Sequence, residues 1–450
     1  SLPHPEKLRQ GRRGRCAQVQ QKEQKTMAAA RLTLLICGGA SAMSYLKQVP
    51  QGAPDLILGV AQAFRESPAP NKVNLVIGAY RDGKGKPWVL PSVRTAESRL
   101  VERGEVKEYA GIAGIPTFVE RALEFAYGKD CPALVEKRVA AVQTLSGTGA
   151  CRIAADFYSK FLPKGTVAYV SDPTWPNHIP IFQQAGFEVR KYRYLDRKTN
   201  RLDLDGMLAD IADAPEGSIF VMHACAHNPT GVDPTPEQWK KISEAMKARD
   251  AKVLVDMAYQ GFASGDAQAD NAALRKLVAD GHSIMLAQSF AKNFGLYGER
   301  VGTLSIVCED EAEAARVSSQ LKLIIRPMYS SPPIHGAMLV AEVLGDENLC
   351  AQYYKECESM AARIKKMRTL LREKIEAEQS PHDWSHITDQ IGMFAFTGMC
   401  PQAVAELTSD HAIFLTADGR ISMAGINEDN VGYVASAMNK VTAERKLGAN

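Results

Sequence analysis

The chain has 450 residues, 45% of them apolar and 23% charged, with a formal net charge of +3. That composition excludes a fibre or a largely disordered chain and leaves room for roughly two to four domains, each with its own core. The charge is uneven: the first fifty residues carry nine Lys or Arg against Glu6 and Glu23, so the remainder holds 45 basic and 49 acidic residues, a balance of −4 that offers nucleic acid or membrane no global attraction.

The basic head, Arg9 to Arg15 followed by Leu32-Thr33-Leu34-Leu35-Ile36, has the look of a targeting segment, and its apolar run is too short to span a bilayer. Met27 and Met43 are alternative starts, and a chain beginning at Met43 lacks that segment. Residues 1–53 are therefore read as an N-terminal extension, either a targeting segment or a partly disordered arm. The expected location is cytoplasmic, with a mitochondrion or another organelle as the alternative if the head directs targeting. Nine cysteines without a Cys-x-x-Cys or a Cys/His run of ligand spacing argue for reduced thiols and predict no metal site. Cys151 and Cys225 read as small buried apolar residues.

From Val139 onward short apolar runs alternate with helical patterns. The runs are Ala140–Val142, Val167–Val170, Ile219–Met222, Val253–Val255, Ile284–Leu286 and Thr303–Val307. Strands separated by helices predict an α/β fold with a mostly parallel sheet buried on both faces, in a large domain over 87–345. Further on, Glu347–Glu376 reads as a long helix, Met393–Phe396 as a strand and Asn430–Arg445 as a final helix. With residues 54–86 these are expected to form a smaller α+β domain, 54–86 and 346–450.

Residues able to carry chemistry sit just beyond the apolar runs. Ser146-Gly147-Thr148-Gly149 follows one run and opens a helical pattern; glycines permit close approach, and the unpaired amides of a helix start attract an anion such as phosphate. The same loop imitates a dinucleotide fingerprint, but Arg152 stands where a third glycine would be. Asn228 lies in the turn His227-Asn228-Pro229-Thr230-Gly231. Asp256 closes Val253–Val255, with Tyr259 three residues on, so a carboxylate and a phenol leave one strand end, where open α/β sheets bind ligands. Lys292, in Ser289-Phe290-Ala291-Lys292-Asn293-Phe294, places an amine among aromatic residues. Such surroundings favour its uncharged, nucleophilic form over the solvated state of an ordinary surface lysine. An amine, an acid, donors for a phenolic oxygen and a phosphate cup are what pyridoxal 5'-phosphate requires.

Seven ordered segments resemble the class I aminotransferases, from about Pro54 to the C-terminal region: Ile77-Gly78-Ala79-Tyr80, Ser146-Gly147-Thr148-Gly149, Pro173-Thr174-Trp175-Pro176-Asn177-His178, His227–Gly231, Asp256-Met257-Ala258-Tyr259, Ser289–Lys292 and Gly419-Arg420-Ile421. The resemblance implies the fold type I of pyridoxal-phosphate enzymes and a ping-pong transfer of the amino group between L-aspartate and 2-oxoglutarate. It implies Lys292 as Schiff-base amine and proton shuttle. The phosphate cup would be Ser146, Gly147, Thr148, Ser289 and Arg300, with Tyr109 reaching in from a second subunit. Trp175 would stack on the ring, Asp256 would hold the ring nitrogen, and Asn228 and Tyr259 would bond its phenolic oxygen. His178 and His223 would orient that acid, and Tyr80 and Gly78 would lie where the small domain closes. Arg420 would clamp the α-carboxylate, beside Gly78, Trp175 and Asn228. Arg326, donated across a homodimer interface, would clamp the distal carboxylate of a small dicarboxylic amino or keto acid. Ser331 and Pro327 depart from the family's usual residues near Arg326, which leaves activity on aromatic amino acids open.

Overall fold

The computed structural model describes residues 45–52, 58–76, 78–445 and 447–448. The basic head, residues 53–57 and Ile77 lie outside the described residues. Two contact units divide the chain at Asp55/Leu56. In the first, Tyr45–Gln48 form a single 3-10 turn. The account below concerns the second.

Its centre is a seven-stranded sheet. The strands are β1 (Val139–Leu145), β2 (Val167–Asp172), β3 (Glu188–Arg193), β4 (Ile219–His223), β5 (Lys252–Met257), β6 (Met285–Ser289) and β7 (Val301–Val307), in the spatial order β1-β7-β6-β5-β4-β2-β3. The pairings β2 to β3, β2 to β4, β4 to β5 and β5 to β6 are parallel, while β7 runs antiparallel to both β6 and β1. The sheet is thus mostly parallel with one reversed strand.

Both faces are covered, which explains the near-continuous apolar runs. Phe220, Met222, Val253, Val255 and Leu286 point into one core, and Ile219, Val221, Leu254, Met285 and Ala287 into the other. Period-two alternation divides each strand between the two cores. The outermost strand β3 is mostly exposed and carries Glu188, Arg190, Lys191 and Arg193, charges that discourage pairing with another chain.

Because β7 is reversed, its N-terminal end meets the C-terminal ends of its neighbours β1 and β6, at the same edge where β4 and β5 end. Val301 faces Leu145, Gly302 faces Ser289, and His223 faces Asp256. Backbone leaving the sheet at this edge brings Ser146, Asp256, Ser289 and Arg300 together from four sequence regions.

The 16-residue helix α1 (Ser146–Phe161) starts directly at that edge. Helix α2 (Glu311–Met328) is capped by Asp310, which accepts from the Glu313 amide, and carries Arg326 in its last turn. The 31-residue helix α3 (Glu347–Ala377) packs against α4 (Val431–Thr442). Near them β8 (Phe394–Phe396) pairs antiparallel with β9 (Arg420–Ser422), and Val73–Asn74 pairs parallel with Ile413–Phe414. No helix among the described residues is long and apolar enough to cross a membrane.

Candidate active site

One cavity at the C-terminal edge of the sheet is lined by Ser146, Gly147, Thr148, Trp175, His223, Asn228, Asp256, Tyr259, Ser289, Lys292 and Arg300, together with Ala258 and Ala291. Eleven residues singled out in the sequence, His223 among them, therefore share one space.

Its anion-ready end is built from α1 and two hydroxyls. Ser146 takes a positive φ of 60° as the chain turns from β1 into the helix, and its Oγ lies 2.9 Å from Ser289 Oγ. Gly147 follows where a Cβ would come within 3.2 Å of Ser289 Cβ, so a larger residue would push into the cup. Arg300 is exposed and donates to the Tyr297 carbonyl at 2.9 Å. The other end is acidic. Asp256 is buried and accepts from His178, Nε2 to Oδ2, at 3.1 Å, while His178 Nδ1 meets Thr174 Oγ1 at 2.9 Å. Burial alone would raise this carboxyl; the hydrogen bond from His178 and the nearby charges of His178, His223 and Lys292 outweigh it, holding Asp256 below the usual carboxylate range. His223 is pushed down to about 3 by burial and by His178, and both of its ring nitrogens lack a partner among the described residues.

Lys292 lies between these ends. Burial first, then the like charges of Arg300 and Arg420, lowers its amine from 10.5 to about 8. Its Nζ sits 5.6 Å from the centre of the Tyr297 ring. Tyr259 is buried, and its phenol is raised by that burial, so it stays a donor. Trp175 packs edge-on against His178 at 5.1 Å.

Arg420, on β9, does not line the cavity but lies behind one of its lining residues, Asn228. It is 3% exposed, donates to the Val76 carbonyl at 2.9 Å and to Asn228 Oδ1 at 3.4 Å, and lies 4.2 Å from the Phe394 ring centre. Its Nε has no partner among the described residues, and burial lowers its basicity. A buried guanidinium with spare donors suits a carboxylate. Gly78 abuts the same Phe394: a Cβ there would meet its Cζ at 2.7 Å. Tyr80 does not line the cavity; its amide donates to Tyr297 Oη at 2.8 Å, and its ring packs against Trp88 and Phe262.

Tyr109 and Arg326 stand apart from Lys292. They line a different, open cavity with Ser330, Ser331 and Pro333, and Tyr109 is 89% exposed. Arg326 Nη1 donates to Ser330 Oγ at 2.6 Å.

Several supporting residues carried no signal in the sequence. Asp233 accepts from the amides of Ala226 and His227 at 2.6 and 2.9 Å, bracing the turn that presents Asn228. Tyr297 connects Lys292 to the Tyr80 backbone, and Phe394 lies between Gly78 and Arg420. A conventional hydrogen-bonding pattern could have suggested only Asp233, an acid two residues past a tight turn.

The fold and this site define an α/β enzyme in which a lysine of lowered basicity shares one cavity with a buried carboxylate and a helix start able to take an anion. Residues 70–438 match the model of aminotransferase class I and II, and the chain belongs to that family. It is 53% identical over 396 residues to the mitochondrial aspartate aminotransferase of Dictyostelium discoideum, covering 88% of this chain and 93% of the relative. Among solved structures, the aspartate aminotransferase from Saccharomyces cerevisiae cytoplasm superposes with a TM-score of 0.87 at 44% identity, covering 89% and 99% of the two chains. The aromatic-amino-acid aminotransferase of Burkholderia pseudomallei, covalently bound to pyridoxal phosphate, gives 0.86 at 42%, covering 89% and 100%. The mostly parallel sheet with flanking helices is the fold type I expected from the sequence, and the family excludes the dinucleotide reading of the Ser146 loop.

Proposed function

We propose that this chain is a pyridoxal-phosphate-dependent transaminase that moves an amino group reversibly between L-aspartate and 2-oxoglutarate, giving oxaloacetate and L-glutamate. The observation that carries the proposal is the Lys292 amine, lowered to about 8, sharing one cavity with Asp256 and the Ser146–Ser289 hydroxyl pair. The family and the names of its relatives support the same reaction.

The donor set fits the cofactor: hydroxyls and helix amides for a phosphate dianion, a buried carboxylate for a ring nitrogen, an amine of lowered basicity for an aldehyde. When bound, pyridoxal phosphate supplies that aldehyde carbon and an electron-accepting ring. Ser146, Gly147, Thr148, Ser289 and Arg300 would hold its phosphate. Asp256, oriented by His178, would keep a proton on the ring nitrogen, while Tyr259 and Asn228 would bond the phenolic oxygen and Trp175 would cover one face. Arg420 orients the substrate through its α-carboxylate. Lys292 Nζ would be the amine that meets the cofactor's aldehyde and, when free, the base that takes the proton from the substrate's α-carbon and gives it back within the same half-reaction. A keto acid then reverses the sequence, which is ping-pong kinetics.

Two features extend the reading beyond a single chain. Tyr109 and Arg326 lie on an open surface away from Lys292, so a homodimer that carries them into a second copy's cavity would complete the phosphate cup and add the distal carboxylate clamp. Residues 54–86 and 346–450 would form a small domain closing over the large domain 87–345, bringing Gly78 and Tyr80 towards substrate. The mitochondrial relative supports the organelle alternative over a cytoplasmic location.

Borohydride reduction of the purified, cofactor-loaded protein followed by peptide mapping tests the core of the proposal. Pyridoxyl label on Lys292 is expected; label on another lysine, or none, would overturn it.

A further inference from the structure

Cys151, His178 and Asp256 come from α1, from the start of the helix His178–Gln184 and from the end of β5, and all three are buried. One ligand atom from each, the thiol sulfur, an imidazole nitrogen and a carboxylate oxygen, lies within 4.8 Å of the other two, the sole such group among the described residues. We propose that these three side chains form a site for a soft divalent cation of the zinc or cadmium type beneath the cofactor cavity, and that its occupation excludes cofactor loading. The exclusion rests on the reading that Asp256 holds the cofactor's ring nitrogen.

The ligand chemistry selects the ion. One thiolate, one imidazole and one carboxylate are the donors that zinc takes, whereas magnesium and calcium need a shell of oxygens that a single carboxylate cannot provide. Bond lengths of about 2.0–2.3 Å place the donors of a tetrahedral site roughly 3.5 Å apart; the His178–Asp256 pair, at 3.1 Å, is already near that spacing, and the separation from the thiol must shrink by up to about an ångström. Asp256 can supply that movement, since it lines the open cavity, and the cavity also gives a fourth ligand, water, a way in. His178 is already oriented from behind, its Nδ1 held by Thr174 Oγ1 at 2.9 Å, the outer hydrogen bond that metal-bound histidines use.

Binding would release one proton to solvent, from the Cys151 thiol, while the proton that His178 Nε2 shares with Asp256 Oδ2 would pass to Nδ1, which then donates to Thr174 Oγ1. Burial and the neighbouring Asp256 keep the thiol protonated otherwise, and a coordinated cation displaces such a proton outright. A divalent cation on one oxygen of the Asp256 carboxylate withdraws the negative charge that would keep a proton on the cofactor's ring nitrogen at the other. The same three residues therefore support either the cofactor or the cation.

The test uses the full-length protein freed of cofactor, in metal-free buffer, titrated with cadmium chloride. The wild type should show a sulfur-to-cadmium charge-transfer band saturating at one equivalent, and that equivalent should block the visible absorption of Lys292-bound pyridoxal phosphate. Cys151→Ala should lose the band and load cofactor normally in the presence of cadmium. Cys225→Ala, which removes a different buried thiol, should keep both effects. Thr174→Val should weaken cadmium binding about 10- to 100-fold through the lost outer hydrogen bond. A band that survives in Cys151→Ala, or cadmium and cofactor bound together on one chain, overturns the proposal. If pyridoxal phosphate fails to load even without metal, the functional reading fails instead, and the dependence of the band on Cys151 still decides whether the cation site exists.

Discussion

Arg420 and Arg326 are the same side chain in opposite settings. The first is 3% exposed, fixed by Val76 and Asn228 and packed on Phe394. The second is exposed at the end of a helix with Ser330 as its hydrogen-bond partner. A buried fork is already oriented for a carboxylate, so little entropy is lost on binding; an exposed fork must be ordered by something else. The chain therefore groups Lys292 and Arg420 on one side and, on a separate surface, carries the residues proposed to serve a second copy. The first group reads as common to every amino acid, the second as the selector of dicarboxylates.

The largest effect should come from the centre of the first group. Lys292→Ala should lower the rate of amino transfer by about 10⁴-fold, since a positioned acid–base group contributes up to that much and the covalent link is lost as well. The Ser146 cup and Asp256 should still hold the cofactor. Single-turnover absorbance with aspartate reads the rate, and near-normal transfer would remove Lys292 from its role.

The two arginines separate next. Arg420→Ala leaves a substrate carboxylate without its buried partner, which costs roughly 2–5 kcal/mol, so kcat/KM should fall about 30-fold or more for aspartate and phenylalanine alike. Arg326→Ala should injure aspartate and spare phenylalanine, and Arg326→Asp should turn preference towards cationic amino acids. An unchanged aspartate specificity constant in Arg326→Asp would refute the selector, and a loss confined to dicarboxylates in Arg420→Ala would refute the contrast itself. Active monomers in sedimentation would remove the need for a second copy.

A smaller, pH-dependent effect distinguishes the buried half from any exposed lysine. Lys292 has its amine lowered from 10.5 to about 8, chiefly by burial and then by Arg300 and Arg420. Only the uncharged amine attacks an aldehyde, so capture of pyridoxal phosphate should accelerate with pH and level off above about 8. The linked stability has a definite sign. The folded state binds fewer protons than the unfolded state between about 8 and 10.5, so the cofactor-free wild type should gain stability relative to Lys292→Met across that window. A capture rate still climbing at pH 10, or parallel melting curves for the two proteins, would contradict the buried amine.

How much of this was readable without a structure follows the same division between buried and exposed. Six strands of the sheet announce themselves because both faces are covered, so their sequences hold near-continuous apolar runs. The edge strand Glu188–Arg193 hides behind its charges, and the reversal of Val301–Val307 has no local signature, since direction is decided by partners. Lys292, Asp256 and Ser289 were legible because chemistry collects where strands end. Contacts made only by tertiary folding were not. Cys151, His178 and Asp256 are separated by 27 and 78 positions, and Arg420 meets Asn228 across 192 residues, spacings with no motif to mark them.

The mildest expected effect lies where Arg420 is supported. Gly78 tolerates no Cβ in its present position, since that atom would stand 2.7 Å from Phe394 Cζ, yet the atom it would strike is the far end of a side chain, not backbone. Gly78→Ala should therefore be absorbed by tilting the Phe394 ring. That ring packs on the Arg420 guanidinium at 4.2 Å, so tilting it should misalign the fork by a few tenths of an ångström without breaking its bond to the Val76 carbonyl. The expected outcome is a several-fold rise in KM shared by aspartate and phenylalanine, with kcat nearly kept, because uniform binding is weakened and the Lys292 proton transfer is untouched. Trimming Phe394 to Leu in the same chain should restore part of the loss by making room. A kcat-only defect, or one seen with aspartate alone, would show that Gly78 acts on something other than the common clamp.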